Sequence, residues 1–274
     1  MPQIESVPVY NILSLLAPLC LLDLYSLKQE NMRNLHIIMP MAGEGSRFKK
    51  EGWTTPKPLI ELNGMPLFKH AISSVSAKGI NLKYSFIVRQ EHIDEYKIDE
   101  GIKSFQPDAN IFSVLKTTLG AVETCLMAES AIADDDAVIV MDCDLEFRSV
   151  RFVEIIKEIL SQPMEEANGG ALVSFESNEP RYSYAALGED GFVTRTAEKE
   201  VISNHALCGA YFFSTGRRFK QIAHQLLDEP EFKKPEYYVS LLYNYLLADG
   251  EKVRLASMEE YYSYGTPEEL KRYL

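Results

Sequence analysis

The chain has 274 residues, 46% of them hydrophobic and 25% charged, with a formal net charge of −12. That composition is ordinary for a globular protein able to bury a substantial core, and its acidity excludes a broad nucleic-acid surface, because a phosphate backbone must be neutralised by cations. Cys20, Cys125, Cys143 and Cys208 are scattered without a C-x-x-C pair, so neither a zinc site nor a disulfide framework is indicated, and reduced thiols in a cytoplasmic protein fit best.

Residues Ile12 to Leu22 (ILSLLAPLCLL) are strongly apolar but too short for a membrane-spanning helix. No cation precedes them, Lys28 being the first, and Pro18 would interrupt a helix there. Residues 1–31 read as an N-terminal extension, with the native start expected at Met32 and a single domain over 32–274. From Leu35 onward, apolar runs alternate with helical patterns. His36–Met41 reads as a buried strand, and Leu59–Leu62 as a short one closed by an Asn63-Gly64 turn. Pro66 opens a helix through about Ala77. Tyr84–Val88 is a strand, the acidic stretch after Gln90 a loop and helix, Ile111–Leu115 a strand, Gly120–Ala131 a helix and Ala137–Met141 a strand. This alternation predicts a Rossmann-like α/β fold, a three-layer α/β/α arrangement around a mixed, mainly parallel sheet. After a helix over Arg151–Leu160 the pattern changes to short strands at Ala171–Phe175, Tyr184–Leu187, Phe192–Thr196 and Ala206–Phe213, an antiparallel or mixed extension. Helices over Arg217–Leu227 and Tyr237–Leu247, a strand at Lys252–Ala256 and a helix after Pro267 complete the chain.

The most informative segment follows the first strand: Ala42-Gly43-Glu44-Gly45-Ser46-Arg47, then Pro56-Lys57-Pro58. Gly43 and Gly45 permit positive φ and let main-chain N–H groups approach anionic oxygens. Arg47 and Lys57 add two cations, as a polyphosphate requires. A Walker loop is absent, and a dinucleotide fingerprint fails because Phe48 stands where its third glycine belongs. The strand Val138–Met141 ends in Asp142 and Asp144, which on a continuing strand would share one face. Two hard oxygen donors at a strand end suit Mg²⁺, which binds through one or two carboxylates plus substrate phosphates. Asp134-Asp135-Asp136 reads as a solvated loop without a role.

The order G-x-G-[ST]-R followed by Pro-Lys-Pro resembles the signature of the sugar-1-phosphate nucleotidyltransferases, including their choline-phosphate cytidylyltransferase-like members. The resemblance implies a nucleotide-binding half over about 35–150 and an acceptor-binding half over about 151–274. It implies a nucleotide held by Ala42, Gly43, Glu44, Gly45 and Ser46, with Thr118 and Gly120 laid against the base. Arg47 and Lys57 would be catalytic, and Asp142 and Asp144 would hold Mg²⁺. Glu198 and Lys199 match the Glu-Lys of an E-K-P motif that contacts the second substrate, with Glu200 in place of the proline, and Gly209 opens a G-x-Y-x-F strand. Leu207 replaces an expected asparagine. Gly265-Thr266-Pro267-Glu268-Glu269-Leu270 is similar to G-T-P-E-D-L, but Ser263 stands where a second metal aspartate belongs. The partners implied are a nucleoside triphosphate and a small phosphorylated acceptor, and the resemblance leaves room for a homo-oligomer. Two other readings stay open on the residues alone: a D-x-D glycosyltransferase consuming a nucleotide sugar, and a non-catalytic nucleotide-sugar-binding subunit, for which Ser263 is the main support.

Overall fold

The computed structural model describes residues 32–76, 79–229 and 232–274. Residues 33–274 form one compact unit, and the apolar run Ile12–Leu22, with the extension expected over 1–31, lies outside the described residues. Among the described residues no helix is long and apolar enough to cross a membrane.

The sheet is built outward from β1 (Leu35–Met41), whose interior is wholly buried. The chain then forms a short helix, Ser46–Lys50, and a 3-10 turn at Lys57–Leu59. Pro56 and Pro58 favour that turn over the strand expected from Leu59, so only Glu61–Leu62 (β2) remains extended. β2 pairs with Met65–Pro66 (β3) through Asn63 and Gly64, with φ of 52° and 74°, the conformation a two-residue hairpin turn requires. The helix that Pro66 opens runs over Leu67–Ser73, ending before Ala77. β4 (Leu82–Arg89) follows, and the acidic stretch becomes two helices, Gln90–Tyr96 and Ile98–Phe105, parted by Lys97 at φ 53°. β5 (Asn110–Val114) and β6 (Ala137–Met141) complete a parallel set in the order β5-β4-β1-β6. Such strands are covered on both faces, which is why they read as continuous apolar runs. Ile38, Ile87, Val138 and Val140 face Val122, Cys125, Phe219, Ile222 and Leu246 of the helices Ala121–Leu126, Gly216–Leu227 and Leu242–Ala248. On the other face Phe86 meets Phe68 edge-on at 5.9 Å.

The second half extends this sheet. After β7 (Leu145–Arg148) and the helix Val150–Leu160 come β8 (Gly170–Glu176), β9 (Ser183–Leu187), β10 (Val193–Glu198) and β11 (His205–Phe213). β11 runs antiparallel to β6 over Ala210–Phe213, to β8, and at Ala206 to β9, its register shifting between Leu207 and Tyr211 where Gly209 has φ 100°. β12 (Val253–Ser257) lies parallel to β8, giving nine strands in one sheet. A separate antiparallel ribbon joins β7 to β13 (Glu260–Ser263), with Leu145 opposite Ser263. That ribbon was not expected from the sequence. The helices expected over Gly120–Ala131 and Tyr237–Leu247 each divide into an α and a 3-10 segment.

At the amino ends of the parallel strands the expectation of a solvated Asp134–Asp136 loop is corrected. Asp134 and Asp135 are exposed, but Asp136 is fully buried, because its carboxylate accepts from Asn34 Nδ2 at 2.7 Å and from Lys83 Nζ at 2.9 and 3.0 Å. Beside it His36, also fully buried, shares a hydrogen bond with Ser85 Oγ at 2.8 Å. Burial pushes the His36 pKa down to about 4; Asp136 opposes that shift and Lys83 adds to it. Between the ordinary value of 6.5 and about 4 the unfolded chain therefore binds the extra proton and the folded protein does not. Stability falls as pH drops through that window, by about 3 kcal/mol for this group. Urea unfolding at pH 7 and pH 4 should show the wild type losing about that much more than His36→Gln; equal losses in the two proteins would refute it.

Candidate active site

The nucleotide side of the site gathers beyond the carboxyl ends of the parallel strands β1, β4 and β6, where ligands of open α/β sheets bind. From β1 comes the loop Ala42–Gly45, with Gly45 at φ 63°. Arg89, at the end of β4, donates from Nη1 to Ala42 O at 3.3 Å and to Thr117 Oγ1 at 3.1 Å, and Thr117 donates to Glu44 Oε1 at 3.0 Å. The glycine loop is thus tied to the neighbouring strand ends. Two cavities meet at Gly43 and Lys57. One, of about 330 Å³, is bounded by Ala42, Thr118, Gly120, Asp142 and Asp144. The other, of about 200 Å³, lies against Glu44, Gly45, Trp53 and Lys57. Ser46 starts its helix on the surface and lines neither.

Lys57 Nζ donates to Asp144 Oδ2 at 2.7 Å. Burial works against the lysine charge, but Asp144, and beyond it Cys143 and Asp142, more than offset this and hold the Lys57 pKa above its ordinary value. Strand β6 ends at Met141, so Asp142 and Asp144 do not sit on a continuing strand, yet both line the same two cavities. Burial raises the Asp142 pKa, the Asp144 carboxylate adds to the rise, and Lys57 opposes it. Asp142 donates its backbone N–H to Gly209 O at 2.9 Å. A side chain at Gly209 would strike Asp142 Oδ2, so the bend of β11 and the carboxylate require each other. Burial pushes the Cys143 thiol up to about 12, which keeps it neutral between the two acids.

A third cavity, of about 290 Å³, opens on the other side of Asp142 and Asp144, toward the second half of the chain. Arg47 reaches it, making no ion pair among the described residues, and Glu198, Lys199, Gly209 and Tyr261 line it. Glu198 is buried, and its Oε2 accepts from Ser183 Oγ and, at 2.9 Å, from Ser240 Oγ. Lys199, at φ 56°, donates to Tyr238 OH at 2.7 Å. The ribbon of β7 and β13 brings the C-terminal motif in: Tyr264 N–H donates to Asp144 O at 2.8 Å, which sets Gly265 against the Asp144 carboxylate. Tyr264 and Tyr262 pack with Phe48 and Leu270 rather than facing the cavity. The sequence-selected residues therefore converge, Ser46 excepted. Sequence reasoning missed Arg181, Tyr182, Tyr238 and Arg89, which stand in no motif and reach the site only through loop placement.

Among the described residues no three acidic, histidine or cysteine side chains are arranged to hold a metal by themselves. Asp142 and Asp144 nonetheless form a pair of oxygen donors on one cleft, with Lys57 bonded to Asp144. Such a pair fits a hard cation that completes its shell with substrate phosphates.

No model of a known protein family matches the chain. It is 27% identical over 191 residues to a mannose-1-phosphate guanyltransferase of Gibberella zeae, a match covering 64% of this chain and 48% of that protein. It is 25% identical over 190 residues to the Kluyveromyces lactis protein of the same name, again covering 64% and 48%. The chain thus spans about half the length of these relatives. The crystal structure of a nucleoside-diphosphate-sugar pyrophosphorylase from Vibrio cholerae superposes with a TM-score of 0.72 at 25% identity, covering 87% of this chain and 99% of that one. With the glycine loop, Lys57 and the paired aspartates gathered at the strand ends, these likenesses support the resemblance to the sugar-1-phosphate nucleotidyltransferases.

Proposed function

We propose that the protein joins the nucleoside monophosphate of a nucleoside triphosphate to a sugar 1-phosphate, or a similar small phosphoester, and releases pyrophosphate. The observation that carries this is the Lys57–Asp144 contact, placed where the nucleotide-side and acceptor-side cavities share Asp142 and Asp144. An oxygen of the acceptor phosphate attacks the α-phosphorus, and the bond to the β-phosphate oxygen breaks with its electron pair leaving on pyrophosphate. No covalent enzyme intermediate is needed, so positioning and charge do the catalysis. Backbone N–H groups of the Ala42–Gly45 loop cradle the triphosphate. Lys57 draws the attacking phosphate and the α-phosphate together, and Arg47 holds the leaving pyrophosphate. Lys199 and Glu198 seat the acceptor, with Ser183 and Ser240 fixing the glutamate. Asp142 and Asp144 would hold Mg²⁺, which when bound supplies charge neutralisation on the triphosphate. A cytoplasmic location belongs to the same proposal and agrees with the free, buried thiols of Cys125, Cys143 and Cys208.

The names of the relatives make GTP and mannose 1-phosphate the first pair to test. Acceptor-dependent pyrophosphate release is expected with Mg²⁺ and one nucleotide from a panel of CTP, UTP, dTTP, GTP and ATP against pooled sugar 1-phosphates and small phosphoesters. Silence across the panel would refute the proposal.

Lys57→Ala should cost at most about three decades in kcat/KM, the limit set by a close lysine–phosphate pair. A loss below about tenfold would show that Lys57 is not at the reaction centre.

Gly209→Ala should displace the Asp142 carboxylate, cutting turnover about a hundredfold and lowering stability by about 1–3 kcal/mol. Wild-type turnover in that variant would mean that the Asp142 position is not needed.

A further inference from the structure

Arg181 contributes a guanidinium to the acceptor-side cavity that the mechanism above leaves without a task. We propose that Arg181 anchors the phosphate of the acceptor, and that Glu269 is the residue that positions it; the inference rests on the transferase proposal.

Arg181 lies in the connection between β8 and β9, with its guanidinium 4.5 Å from the centre of the Tyr182 ring. Two carboxylates pair with it, Glu269 Oε1 lying 2.7 Å from Nη2 and Glu179 Oε2 2.7 Å from Nε, and Nη2 donates to the Tyr182 hydroxyl. Nη1 has no partner among the described residues, so two N–H donors remain. The two grips differ in kind. The Glu179 side chain is 62% exposed and easily exchanged, whereas that of Glu269 is only 8% exposed and belongs to the capped C-terminal helix Pro267–Leu270.

Glu269 also ties Arg181 to the reaction centre. A Cβ on Gly265 would lie 3.4 Å from Glu269 Oε2 and 3.3 Å from Asp144 Oδ2, so the two carboxylates approach the same bare glycine. Asp144 carries Lys57 on the nucleotide side, and Glu269 carries Arg181 on the acceptor side. An acceptor phosphate moving toward the α-phosphorus passes the four acids Asp142, Asp144, Glu198 and Glu269, and needs a cation held in place beside them. Lys199, which helps to seat the acceptor, spends one donor on the Tyr238 hydroxyl and lies over its ring, so a second cation is needed for the phosphate. Arg181 meets the need with a rigid planar fork, the geometry suited to phosphate oxygens.

The test is steady-state kinetics with GTP, Mg²⁺ and mannose 1-phosphate, or whichever nucleotide and acceptor the panel shows to turn over. Arg181→Gln should raise the acceptor KM about tenfold to a hundredfold, with kcat and nucleotide KM within about threefold. Arg181→Lys should recover part of the loss, and Glu269→Gln should show the same split to a smaller extent. Nucleotide binding without acceptor, followed by fluorescence of a labelled GTP, reports whether each variant is folded. Should Arg181→Gln not fold, Arg181→Lys carries the test through an acceptor KM raised at least about threefold. An unmoved acceptor KM, or an equal loss for both substrates, in a folded variant of an active enzyme overturns this inference alone. An inactive wild type overturns the transferase proposal and this inference with it.

Discussion

The arrangement depends on one ion pair, Lys57 with Asp144, between residues that the chain separates by five strands and several helices. Neither charge could sit in that cleft alone, since a half-buried ion without a partner either neutralises or destabilises its surroundings. The pair can form only because β1 and β6 lie side by side and in parallel, so that the loop following each emerges at the same edge. Most of what surrounds the pair adjusts its charge. Burial and the neighbouring Asp144 raise the Asp142 pKa, and Arg47 lines the same cavity without an ion pair among the described residues.

Three glycines set how closely the two halves approach. Gly209 lets the bent β11 touch the Asp142 carboxylate, and Gly265 admits the Asp144 and Glu269 carboxylates to one point. At Gly120 a side chain would strike the backbone of Tyr237, whose N–H and C=O bond Leu119 and Val122. In each case the missing side chain makes room for a group from the other half of the chain. Rigid backbone of this kind would suit the proposed reaction, in which two phosphates must be held in line.

The opposite edge of the sheet carries a different network. The Arg33 guanidinium donates to the carbonyls of Asp135, Ile159, Gln162 and Ser214, closing the end of the helix Val150–Leu160 onto the loops below β6 and β11. With the Asp136 cluster it satisfies backbone and side-chain polar groups that would otherwise be orphaned in the interior. At this edge the buried charge of Asp136 is paired with Lys83 and serves stability.

The parallel half of the fold was legible in the sequence because strands buried on both faces must be apolar throughout, as in LHIIMPM and AVIVM. That the glycine loop, Lys57, Asp142 and Asp144 converge was legible for a related reason: they stand in local motifs of restricted residue type at fixed spacing, whatever the fold around them. The ribbon of β7 and β13 was not legible, since its short strands are half-exposed and are paired by residues far apart in the chain. Nor was the burial of Asp136, which depends on Lys83 and Asn34 arriving from neighbouring strands. The sequence by itself determined the chemistry available, two cations and two carboxylates beside a phosphate-binding loop. Only the tertiary structure decided that Lys57 meets Asp144, that Glu198 is fixed by two serines, and that Arg181 and Glu269 line one cavity with Asp142 and Asp144. Such contacts are made by side chains that meet in space, and no local pattern along the chain encodes them.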